Sequence, residues 1–158
     1  MSMTTSPTRE TARLANETWE SLLTAHTRLI KELAAEEIWD DVSMREYDVL
    51  YTLSKCPEPI RLGELERHVL LSQPALSRMV DRLVRRGLVH READPADARG
   101  RLLSLSAEGL AAQRQVGRRH ARGVTRALTR ELTVGELAEL RHLCQKLVGE
   151  SSLRKESR

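Results

Sequence analysis

At 158 residues and a formal net charge of only +3, the chain has room for one domain with helical extensions, and its total charge makes no case for a polyanionic partner. Hydrophobic residues reach 40%, enough for a core. Aromatics are only 3% and Phe is absent, so Ala and Leu carry the apolar load, which favours helices. No stretch approaches the ~18 apolar residues of a membrane span, and the opening MSMTTSPTRE lacks the apolar core of a secretory signal, so the sequence reads as soluble and cytoplasmic with no membrane partner.

Residues 1–9 and 151–158 read as disordered tails. A long helix is expected from about Glu10 to Ile38, with a stripe of Ala15, Trp19, Leu22, His26, Leu29 and Leu33 spaced 4, 3, 4, 3, 4. So narrow a stripe suits helix-on-helix packing. Ser43 and Glu46 form a capping box that opens a second helix, Met44 to about Ser54, closed by Cys56-Pro57-Glu58-Pro59. A short third helix, about Gly63 to Leu70, leads into a fourth that begins at Ser72, with Pro74 in its first turn where a missing N–H is harmless. Leu76, Met79, Val80 and Leu83 share one side of that fourth helix; Pro74, Ser77, Arg78, Asp81 and Arg85 share the other. Gly87 stops it. A short apolar strand (Leu88, Val89), a turn-rich tip (Asp94 to Gly100) and an alternating strand from Leu102 to Leu105 form a hairpin. Ser106 caps a fifth helix to about Glu131, and a Thr133–Glu136 capping box opens a sixth with Leu137, Leu140, Cys144 and Leu147 on one side.

Charge is unevenly spread along this order. Residues 1–60 carry a balance of −5, residues 61–101 of +3 and residues 102–130 of +5, so positive charge gathers around the fourth helix, the hairpin and the fifth helix. A solvated surface would explain a charge run alone. A cationic helix face tied to an arginine-bearing hairpin suits a DNA duplex better, the helix in the major groove and the hairpin in the adjacent minor groove. The fold class expected is mainly α: a winged helix-turn-helix with a two-stranded β wing and long N- and C-terminal helices for dimerisation. Residues 10–42, 43–106 and 107–150 would be, in turn, dimerisation helix, DNA-binding unit and dimerisation helices. The terminal helices cannot all bury their faces against so small a winged unit, and an identical chain is the default partner.

The residues Glu64-Leu65, Leu71-Ser72, Ser77-Arg78, Val80-Asp81, Leu83, Arg86-Gly87-Leu88-Val89, Arg91, Asp94-Pro95, Asp97, Arg99, Leu105-Ser106 and Gly109 resemble the MarR family of winged-helix transcriptional regulators. The Asp97-Ala98-Arg99 triplet of the wing is the most specific element, and the resemblance covers roughly residues 10 to 150. It implies a homodimer on a pseudo-palindromic operator in double-stranded DNA, commonly a repressor released by a small phenolic or other lipophilic molecule. It also implies that Arg99 enters the minor groove and that Asp97 orients it. Two departures stand out: Glu66 replaces the usual Ala, and the third helix lacks a Ser or Thr cap.

In a helix-turn-helix, early residues of the reading helix, here the fourth helix of the chain, meet base edges and later ones meet phosphates. Ser72 and Pro74 then sit at the DNA-facing start, Gln73, Ser77 and Arg78 are specificity candidates, and Arg82, Arg85, Arg86 and Arg101 are candidates for phosphate. Asp81 would hold the guanidiniums of Arg78 and Arg85 in place; the alternative is that it accepts from a cytosine amino group. Arg114, Arg118, Arg122, Arg126 and Arg130, every fourth residue of the fifth helix, would pair with the acidic first helix, attract an anion or stay solvated; pairing is preferred.

The resemblance implies an effector pocket lined by the first, second and fifth helices. His26, Trp39, Tyr47 and Tyr51 are available there, with Arg118 or Arg122 as anion partners for a small aromatic or phenolic effector; a satisfied core histidine is the competing reading for His26. Lys55 could lower the Cys56 thiol, yet an inert cysteine is the better reading, and Cys144 looks structural. No cofactor or metal is expected, since the histidines show no ligand spacing. No nucleophile–base set or phosphate loop suggests an enzyme. An activator, a regulator without ligand, or a winged module that binds protein are the alternatives.

Overall fold

A computed structural model of the chain describes residues 8–149, so most of the first predicted tail and all of the second lie outside the described residues. The chain divides into two units, residues 1–36 and 37–158. The first is α1 (Arg9–Ala34), capped by Thr8, whose side chain accepts from the Thr11 amide. It stops four residues short of the predicted end. Glu36, Glu37, Asp40 and Asp41 follow, and carboxylates are unfavourable at the negative end of a helix dipole.

The second unit runs α2 (Met44–Ser54), β1 (Ile60–Arg61), α3 (Leu62–Glu66), α4 (Gln73–Arg85), β2 (Val89–Asp94), β3 (Asp97–Leu105), α5 (Ala107–Thr129) and α6 (Val134–Val148). Both predicted capping boxes are present. The fold is a mainly helical winged helix-turn-helix whose antiparallel sheet has the order β1-β3-β2. The third strand was not foreseen: two residues, with Ile60 opposite Leu103 and Arg61 opposite Leu102, escape any periodicity argument. α3 is shorter than expected and has no side-chain cap, as the sequence indicated. The hairpin is longer than expected. Its strands extend to Asp94 and from Asp97, leaving only Pro95 and Ala96 in the turn. Side chain-to-backbone bonds hold these polar residues in the ladder, with the Ala96 amide donating to Asp94 and the Arg99 amide to Asp97.

Val49 and Leu50 of α2, Leu65 of α3, Leu76, Val80 and Leu83 of α4, and Val89 of β2 are buried to within 2% of full cover and form the centre of the core. α4 ends as the sequence suggests. Gly87 takes φ 71°, the Leu88 amide donates to the Leu83 carbonyl at 2.9 Å and the Gly87 amide to the Val84 carbonyl at 3.0 Å. Ser106 then fastens α5 to this turn. Its hydroxyl donates to the Gly87 carbonyl at 2.6 Å and accepts from the Gly109 amide at 2.9 Å, while its own amide donates to Leu88. Gly109 is required there: a Cβ would lie 1.9 Å from the Leu88 carbonyl oxygen.

Candidate nucleic-acid interface

Because Leu76, Met79, Val80 and Leu83 turn inward, α4 presents Ser72, Gln73, Pro74, Arg78, Arg82 and Arg85 to solvent, with Ser77 and Asp81 half-buried between them. Ser72 holds the capping position but makes no side-chain cap bond. Asp81 is placed differently from its expected role. Its carboxylate pairs with Arg91 of β2 at 2.5 Å, so it ties α4 to the hairpin and does not brace Arg78 or Arg85. Helical spacing points Asp81 at Arg78 and Arg85, but Arg91, ten residues away on β2, offers a better-placed guanidinium.

Arg86 also departs from expectation. It sits 3.2 Å from Glu46, the capping-box residue of α2, and donates to the Asp41 carbonyl. Glu46 is buried, with its other oxygen accepting from the Ser43 amide. Arg86 thus joins the end of α4 to the start of α2 and is spent on structure. Arg82 and Arg85 keep exposed guanidinium-bearing side chains on the same face.

At the wing, Arg99 and Arg101 are exposed. Asp97 accepts from the Arg99 backbone amide at 3.0 Å, so it holds the backbone that carries the arginine. Arg101 donates to the Gly100 carbonyl. Arg61, which nothing in the sequence singles out, joins the wing from β1. Its Nε donates to Asp94 at 2.7 Å, a second nitrogen also pairs with Asp94, and a third lies 3.8 Å from Asp97. Asp94 is 7% exposed, and the Ala96 amide and then Arg61 hold its carboxyl below the usual range. No local signal could link residues 33 positions apart.

A second feature lies between α2 and α5: a cleft of about 630 Å³ lined by Tyr47, Asp48, Tyr51, Gln113, Gly117, Arg118 and His120, among others. Trp39, Tyr47 and His120 pack ring to ring at 5.2–5.9 Å, and Tyr51 stacks on Tyr47. Burial raises the Tyr47 phenol, keeping it neutral; desolvation raises the Asp48 carboxyl, opposed by His120. His120 Nδ1 is buried with no hydrogen-bond partner. Of the predicted ligand residues, Trp39, Tyr47, Tyr51 and Arg118 come together here. Arg122 lines a separate shallow groove with Thr125 and Arg126, and His26 is exposed on α1 in the other unit. His120 carries no sequence signal for this place, since only the fold sets it between Trp39 and Tyr47.

On α5, Arg119 pairs with Asp40 at 3.6 Å and donates to the Glu37 carbonyl. Cys56 is pushed up by burial and by Glu64, and Lys55 lies over the Tyr51 ring, so the thiol gains no activation from that lysine. Among the described residues no group of three or more His, Cys, Asp or Glu could hold a metal ion, and no helix is long and apolar enough to cross a membrane.

The family model described as MarR family matches residues 40–100. The multiple antibiotic resistance protein MarR of Salmonella typhimurium is 32% identical over 108 residues, 68% of this chain and 74% of that protein. The crystal structure of Sco3205, a MarR family transcriptional regulator from Streptomyces coelicolor, in complex with DNA, aligns with a TM-score of 0.72 at 26% identity over 99% of this chain and 96% of that one. The PcaV transcriptional regulator from Streptomyces coelicolor, in complex with its natural ligand, aligns with a TM-score of 0.63 at 29% identity over 87% of this chain and 93% of that one.

Proposed function

The chain belongs to the MarR family, and from that membership we propose that it is a sequence-specific DNA-binding transcriptional regulator, acting in the cytoplasm as a homodimer on a pseudo-palindromic operator. One observation carries the reading. The exposed face of α4 and the arginine-bearing wing are rooted in the same core, with α4 and β2 joined by the Asp81–Arg91 pair. Gln73, Ser77 and Arg78 reach base edges from the early turns of α4, Arg82 and Arg85 meet phosphate, Arg99 enters the minor groove and Arg101 the flanking backbone. Residues 43–106 form the DNA-binding unit, and residues 10–42 and 107–150 the dimer contact.

The regulator is a repressor released by a small aromatic or phenolic ligand. The cleft between α2 and α5 supports this, because it offers the faces of Tyr47 and Tyr51, a cation in Arg118, and the unpartnered Nδ1 of His120. The PcaV structure with its natural ligand supports a ligand-responsive member on this fold. A mobility-shift assay on DNA flanking the protein's own gene, with and without aromatic acids, tests both parts. A retarded band that competes with its own sequence and is released by a ligand is expected. Salt-insensitive binding without sequence preference sinks the DNA reading; binding that no aromatic acid weakens sinks the effector part.

A further inference from the structure

We propose that Arg61 is a positioning residue for the wing, fixing the backbone that presents Arg99 without touching DNA itself; the inference rests on the reading of Arg99 as a DNA contact. Asp94 and Asp97 flank the two-residue turn of the β2–β3 hairpin, and the ladder there is irregular, with a bulge between Ala93 and Asp94. Such a tip has few apolar contacts to keep it in one conformation. Each aspartate spends one oxygen on a backbone amide beyond it, Asp94 on Ala96 and Asp97 on Arg99. The other oxygens turn toward Arg61, which donates to Asp94 at 2.7 Å and lies 3.8 Å from Asp97.

Arg61 is well placed to hold this pair. It sits on β1, paired with Leu102 of β3, and β1 leads straight into α3 and the core. The guanidinium is planar and presents several N–H groups in a fixed fork, so one arginine can fix two carboxylates that a lysine could only neutralise. Gly100 leaves the room this needs: a Cβ there would stand 2.9 Å from the Asp94 Cβ and 3.2 Å from its Oδ2. There is also an electrostatic consequence. Without Arg61, two carboxylates at the wing tip would face the phosphates that Arg99 must approach.

The test uses the full chain with Arg61→Gln, Arg61→Lys, Asp94→Asn and Arg99→Ala, with Arg61→Gln and Asp94→Asn also combined with Arg99→Ala. Amide hydrogen exchange on the free protein reads the tip directly: the Ala96 and Arg99 amides exchange faster in Arg61→Gln while the α4 amides keep their protection. Operator affinity falls about tenfold in Arg61→Gln, the middle of the range for coupled neighbours. Adding it to Arg99→Ala changes affinity by no more than about twofold, because the group being positioned is gone. Arg61→Lys restores only part of the loss. Unchanged exchange at Ala96 and Arg99 overturns the proposal. So does a further loss in the Arg99→Ala background with a salt slope lower by ~0.9, which would make Arg61 a phosphate contact in its own right. If Arg99→Ala alone leaves affinity unchanged, the wing reading fails and this inference with it, whereas a weakened Arg99→Ala beside an unaffected Arg61→Gln removes Arg61 only. Asp94→Asn, which leaves the fold's core untouched, must reproduce the exchange and affinity changes of Arg61→Gln.

Discussion

Arg78 and Asp81 lie one turn apart on α4, yet their surroundings give them different work. Arg78 is exposed near the start of the helix, whereas Asp81 faces Arg91 on the hairpin at 2.5 Å. Both members of that pair are partly solvated, so its net worth is only ~0–1 kcal/mol and its use is orientation. Arg78→Ala should therefore cost ~1–3 kcal/mol and relax preference at one base position per half-site. Asp81→Ala should weaken all positions evenly, because it loosens the hairpin relative to α4. Operator-library selection on both variants separates the two; a uniform loss for Arg78→Ala would move that arginine to the phosphates and leave specificity to Gln73 and Ser77. Ser106 is a different kind of residue, with a hydroxyl that is buried, caps α5 and bonds the Gly87 carbonyl at 2.6 Å. Ser106→Ala removes all of this at once and should lower unfolding stability by ~1–3 kcal/mol in urea melts. A change below ~0.5 kcal/mol would mean the turn after α4 holds without it.

Elements that announce themselves in the sequence here are those whose ends are fixed locally. The Ser43–Glu46 and Thr133–Glu136 boxes span four residues each, and both helices begin where those boxes place them. The inward face of α4 was equally legible, since Leu76, Met79, Val80 and Leu83 obey the helical period and are all buried. What was not legible depends on distant partners. β1 exists only through Leu102 and Leu103, Arg86 is claimed by Glu46 forty residues earlier, and Asp94 is held by Arg61. Of the candidate site, the α4 face was readable and the supports of the wing were not. Those supports give the hairpin its own pH dependence. The Asp94 carboxyl is depressed by the Ala96 amide and Arg61, so the unfolded chain takes up that proton before the folded one. Its stabilisation is then fully present above the ordinary aspartate value of ~3.9 and is lost as pH falls through the lowered folded value. Amide exchange at Ala96 should stay slow from neutral pH to pH ~4, after correction for the intrinsic rate, and rise only below it. Asp94→Asn should flatten that acid-side rise; a rise that survives the substitution would assign it to another group.

At the scale of the whole molecule, α1 and α6 each expose apolar side chains among the described residues. On α1, Leu14 and Trp19 are each 62% exposed and Leu23 and Ile30 are also exposed; on α6 no residue is buried, and Leu140, Leu143 and Leu147 face solvent. Isolated exposed apolar residues are ordinary, but runs recurring on long helices are the kind of surface that another chain covers, and they motivate the proposed dimer. If a second copy is that chain, as proposed, the two α4 helices would meet half-sites one helical turn apart, ~34–36 Å. Each half-site alone should then give little affinity, because the second contact would gain its strength from being tethered to the first. Placing a charge on each of these helices, Trp19→Glu on α1 and Leu143→Glu on α6, should shift sedimentation toward the monomer and leave the helical signal of the winged unit intact. Binding to the palindrome should fall to the level of a single half-site, and changing the half-site spacing by half a helical turn should do the same to the unaltered protein. A monomer that still binds the palindrome at full affinity would overturn the dimer and, with it, the reading of these helices as its contact.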